Sequence, residues 1–76
     1  MITTREIEAL GFEFNDKGST WEEWLIEFET CTLSVNFYHN GKTVELRIYQ
    51  LGYTTHIELK GVVTIERIKN LIKALQ

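Results

Sequence analysis

Seventy-six residues, 43% hydrophobic and 25% charged, make one domain (1–76) of ordinary globular composition, near the lower size limit for a fold held by an apolar core alone. A net charge of −3 and an isoelectric point near 5.3 oppose the basic footprint of a nucleic-acid-binding domain. No apolar run approaches the roughly 18 residues of a membrane span, and the single cysteine, Cys31, cannot form an internal disulfide. Met1–Glu6 lacks the basic-then-apolar pattern of a signal peptide, so the expected setting is reducing and cytoplasmic, with Cys31 a small apolar side chain. The charge is unevenly placed. Residues 1–30 carry eight acids against Arg5 and Lys17, and residues 31–76 carry three acids against six bases. One acidic and one basic surface region follow, a matter of partners rather than of fold.

The chain opens with a helix. Thr3-Thr4-Arg5-Glu6 fits a capping box, Ile2 and Ile7 a hydrophobic staple, and Gly11 a stop in the left-handed conformation. Phe12-Glu13-Phe14 alternates as a brief strand, followed by the turn-forming run Asn15-Asp16-Lys17-Gly18-Ser19. From Trp21 to Phe28 the period is two. Trp24, Ile26 and Phe28 fall on one side, and Trp21, Glu23, Leu25 and Glu27 on the other. Glutamate and leucine would also suit a helix over 22–29, but the alternation continues into the next segment and the aromatics fit a pleated surface. A strand is expected there, with a turn at Glu29-Thr30.

Cys31 to Gln50 is a hairpin closed by Asn40-Gly41, the pair a type I′ turn prefers because both positions need positive φ. That turn sets a register of His39 with Lys42, Phe37 with Val44, Val35 with Leu46 and Leu33 with Ile48 on one face. The other face pairs Tyr38 with Thr43, Asn36 with Glu45, Ser34 with Arg47 and Thr32 with Tyr49. One face is apolar and the other polar, so a slip of one residue would expose the core. Leu51-Gly52 predicts a further turn and Tyr53 to Lys60 a last strand, with Ile57 and Leu59 inward and His56 and Glu58 outward. After Gly61, Thr64 caps a helix whose Ile65, Ile68, Leu71, Ile72 and Leu75 recur at helical spacing. Val63 and Ile68 form its staple, and Glu66, Arg67, Lys69, Asn70 and Lys73 point away. The expected fold is α+β: a two-layer sandwich in which a five-stranded antiparallel meander carries both terminal helices on one face, in the order α-β-β-β-β-β-α.

Little in this pattern serves catalysis. Cys31 and His39 lie eight residues apart on one strand, roughly 26 Å at ~3.3 Å per residue, too far to act together. His56 and Glu58 share a strand face, a pairing that an exposed strand supplies by chance. There is no metal-ligand spacing, and the isolated glycines at 11, 18, 41, 52 and 61 mark turns rather than a phosphate-cradling loop. No enzyme activity, cofactor or metal is expected. The informative feature is the outward sheet face. There Trp21, Leu25, Tyr38 and Tyr49 are ringed by Glu23, Glu27, Glu45 and Arg47, an aromatic centre with a charged rim of the kind that partner proteins engage.

Leu10-Gly11-Phe12 closing a short first helix, aromatic hairpins from Trp21 to Leu59, and Thr64-Ile65-Glu66-Arg67-Ile68-Lys69 opening the last helix form a recognisable combination. In these the chain resembles small uncharacterised proteins of bacteriophages and mobile elements. The resemblance implies a context, because some phage proteins of this size, anti-CRISPR proteins among them, disable host defence complexes. It assigns no residue a role. The expected function is therefore non-enzymatic protein binding that blocks such a complex by steric occlusion. The alternatives are a nucleic-acid-binding regulator using Arg47, Tyr38, Tyr49, Lys69 and Lys73, and a self-associating protein that pairs through its last strand.

Overall fold

The computed structural model describes residues 2–39, 43–50 and 56–76. The chain runs α1 (Thr4–Ala9), β1 (Glu13–Lys17), β2 (Trp21–Glu27), β3 (Cys31–Tyr38), β4 (Val44–Gln50), β5 (His56–Leu59) and α2 (Ile65–Leu75). The strands lie in the order β1-β2-β3-β4-β5 with every neighbouring pair antiparallel, so the expected α+β meander is the observed one. Ile7 of α1 and Ile68 of α2 both reach zero exposure against Leu33, Val35 and Leu46, which places the two helices on one sheet face. Ile2 and Phe12 complete the buried cluster, and Trp24, Ile26, Phe37, Ile48 and Leu59 pack around it.

Local chemistry explains how each helix starts. Thr3 accepts the Glu6 N–H through its side chain while Glu6 Oε1 accepts the Thr3 N–H at 3.0 Å, the full capping box. With six residues, α1 is too short to be stable alone. Thr3→Ala should therefore lower stability by about 1 kcal/mol, read as a shift of the urea midpoint; an unchanged midpoint would mean the cap contributes nothing. Gly11 and Gly61 take φ of 105°, ending α1 and β5 where a side chain would be strained. Thr64 caps α2 by accepting the Arg67 N–H at 3.1 Å.

The central register matches the sequence expectation pair for pair from Phe37–Val44 to Thr32–Tyr49, and the Tyr38 N–H donates to the Thr43 carbonyl at 3.0 Å. The Asn40-Gly41 turn, the His39–Lys42 pair, the Leu51-Gly52 turn and the first part of the expected last strand, from Tyr53, lie outside the described residues.

Three features differ from expectation. β1 extends to Lys17 rather than ending at Phe14, because a register shift between Phe14 and Asp16 accommodates Asn15 as an extra residue. The strand thereby absorbs part of the polar run read as a turn. The turn that remains is tight, closed by the Gly18 N–H on the Trp21 carbonyl at 2.9 Å. Ile57 pairs with Ile48 on the helix-facing side but stays 62% exposed, because β5 is an edge strand beyond the cover of the helices. Phe14, on the opposite edge, is likewise half exposed and meets Trp24 edge-on at 5.7 Å. Arg67 does not simply point away. Its guanidinium donates to the Lys60 and Val62 carbonyls at 2.6 and 3.2 Å, tying the β5–α2 connection to the helix.

Candidate binding surface

The sheet face away from the helices is built by the odd-numbered residues of β2, β4 and the even-numbered residues of β3. Pairing of Trp21 with Tyr38, Glu23 with Asn36 and Leu25 with Ser34, then of Asn36 with Glu45, Ser34 with Arg47 and Thr32 with Tyr49, brings the expected binding residues onto it. Glu27, opposite Thr32, is the exposed end of the β2 stripe, whereas Trp21, Glu23, Leu25, Tyr38, Glu45, Arg47 and Tyr49 are half-buried.

The centre of this face is not open, contrary to the reading of an exposed polar surface. Ser34 has no exposure and Asn36 only 3%. Two small polar side chains sit beneath long neighbours from both flanking strands, and burial is tolerable because each finds a partner. Asn36 Nδ2 donates to Ser34 Oγ at 2.7 Å, and Ser34 Oγ donates to Glu23 Oε2 at 2.8 Å. Tyr49 OH donates to the same carboxylate oxygen at 3.4 Å and Asn15 Nδ2 to Oε1 at 3.0 Å. The β1 bulge thus has a use here, since it carries the amide that meets Glu23. Three neutral donors hold that carboxylate, and no cation pairs with it among the described residues.

A second group lies beside it. Arg47 Nη2 donates to Glu45 Oε2 at 2.9 Å and to Tyr38 OH at 3.0 Å, while Tyr38 OH donates to Glu45 Oε2 at 3.2 Å. Burial opposes the Arg47 charge, but favourable interactions with Tyr49 and Glu45 outweigh it and raise its pKa, so the guanidinium is always charged. Arg47 Nε is buried and makes no hydrogen bond among the described residues. Burial also raises the Tyr38 pKa; the Arg47 charge pulls it down less than burial and Glu45 push it up. A raised folded pKa means stability is intact below the ordinary tyrosine value near 10 and falls as pH climbs through the higher folded value. Alkaline titration by absorbance at 295 nm should show that Tyr38→Phe removes a late-ionising step; its persistence in the variant would place the shift elsewhere.

Trp21, Glu23, Asn36, Tyr38, Arg47 and Tyr49 together line a half-open cavity of about 310 Å³. Trp21 forms its wall with its indole lying over Gly18, where any Cβ would overlap the ring. A second hollow of about 370 Å³ lies on the other side of β2, bordered by Glu13, Phe14, Asn15, Leu25 and Glu27. Asn36 and Ser34 belong to this surface although their residue types gave no binding signal. Their place opposite long side chains in the register was the only available cue.

The histidines do not form a site. His56 is exposed and rests against the Tyr49 ring at 5.2 Å, and its strand neighbour Glu58 pairs with Lys60 at 3.1 Å instead. Cys31 is buried and His39 exposed. Among the described residues no three metal-ligating side chains converge, and no helix is long and apolar enough to cross a membrane. No protein-family model, no curated protein and no solved structure matches the chain.

Proposed function

We propose that the protein is a non-catalytic binding module that docks its outer sheet face onto a basic surface of a partner protein and works by covering it. The observation that carries this reading is the β2 stripe of Trp21, Glu23, Leu25 and Glu27, flanked by two hollows and backed by a hydrogen-bonded floor that fixes its geometry. Rigid aromatic and aliphatic anchors with an acidic rim favour association with a positively charged partner. The resemblance to small phage and mobile-element proteins supports a particular setting, the inhibition of a bacterial defence complex by occluding a site that holds nucleic acid. The nucleic-acid reading loses one of its bases because Arg47 is neutralised by Glu45, and keeps Lys69 and Lys73, which are exposed on α2 away from that sheet face.

Immobilised protein should retain a host protein from bacterial lysate, with retention that weakens as salt rises. Glu27→Lys alters an exposed side chain, so the fold should be unaffected. Retention should fall several-fold and its salt dependence should flatten. Equal retention by the variant would remove the acidic stripe from the account.

A further inference from the structure

We infer that the cavity between Trp21, Tyr38 and Tyr49 takes the cationic end of a lysine or arginine side chain from the protein partner, with Glu23 as its counter-charge. This deepens the binding reading and rests on it. The first support is charge balance. Among the described residues two charged side chains line the cavity, and Arg47 is already neutralised by Glu45, which leaves the Glu23 carboxylate as the charge without an ionic partner. That carboxylate is held in place by Ser34, Tyr49 and Asn15, all neutral, so it is positioned before any ligand arrives. Positioning an anion in advance removes part of the ordering cost of binding.

The second support is the wall. One tryptophan and two tyrosines line the cavity together with Glu23, and aromatic rings attract ammonium and guanidinium groups through their electron-rich faces. At about 310 Å³ the cavity is at the small end of ligand sites, suited to one side-chain terminus. An anionic ligand is disfavoured, because the guanidinium in the lining already has a carboxylate partner in Glu45 while Glu23 has no cationic one among the described residues. A metal ion fits poorly as well, since among the described residues no group of three ligating side chains exists.

The test is a heteronuclear NMR titration of the whole chain with blocked arginine, blocked lysine, blocked norleucine as the neutral control, and choline. Either blocked cation should give saturable shifts at the Trp21 indole N–H and at the amides of Asn36, Tyr38, Arg47 and Tyr49, and norleucine should not. Glu23→Gln keeps acceptor and donor positions that the Ser34 and Tyr49 hydroxyls can meet by rotating, so its spectrum should stay folded while binding weakens about tenfold. Trp21→Leu, which leaves the charge in place, should weaken it several-fold. Absent shifts, equal shifts with norleucine, or unchanged binding by Glu23→Gln would overturn the inference. Tighter binding of choline than of either blocked residue would overturn the assignment to a partner side chain. A chain that fails this titration yet retains a host protein through the β2 stripe keeps the binding reading and loses only the cation cavity.

Discussion

Leu46→Ala is expected to destabilise the protein by about 2–5 kcal/mol. Leu46 has no exposure, pairs with Val35 on one side and Leu59 on the other, and sits in the cluster that joins Ile7 and Ile68 to the sheet. Deleting its branched end removes contacts to both layers, and helices held by the sheet cannot collapse fully into the space. A chain of 76 residues has a total stability of about 4–11 kcal/mol, so a loss of this size removes a large share of it and should move the unfolding midpoint far to lower denaturant. Urea unfolding followed by circular dichroism gives the number. A loss below about 1 kcal/mol would mean that this position is not at the centre of the core.

Ser34→Ala should cost about 1–3 kcal/mol, although it removes one oxygen from the face opposite the core. On a solvated strand the same change would be close to neutral. Here the hydroxyl accepts from Asn36 and donates to Glu23, and both it and Asn36 are shut away from water. Without it, the Asn36 amide keeps a buried donor with no acceptor and Glu23 loses its shortest hydrogen bond. The urea midpoint should drop, and the Asn36 side-chain amide resonances should move toward solvent-like positions. A loss below about 0.5 kcal/mol, with those resonances unmoved, would show that the floor of the outer face does not depend on this hydroxyl.

Much of the architecture is legible in the residues because several local signals agree. Asn40-Gly41 and strict alternation on both sides leave a single register that buries Leu33, Val35 and Leu46, and Thr3 and Thr64 mark helix starts by chemistry that acts within four residues. What escaped the sequence depends on neighbours far along the chain. Alternation assigns Ile57 to the core-facing side but carries no information on whether a helix reaches the sheet edge. The length of β1 turns on a one-residue bulge at Asn15, whose amide is held by Glu23 eight residues later. The burial of Ser34 and Asn36 is of the same kind, since two small polar residues read as solvent-facing until the register sets them between Glu23, Leu25, Glu45 and Arg47. The residues of the outer face were legible as a group, because the pairing register sets them on one side of the sheet. The cavity among them was not, since it depends on the indole lying over Gly18 and on Arg47 turning toward Glu45 and Tyr38.

Recognition by the outer sheet face is most directly tested by amide hydrogen exchange on the protein alone and in the complex retained from host lysate. The account predicts added protection across Trp21–Glu27, at Asn36 and Tyr38, and from Glu45 to Tyr49, with α1 and α2 unchanged. Protection confined to the two helices, or the absence of any retained complex, would contradict it.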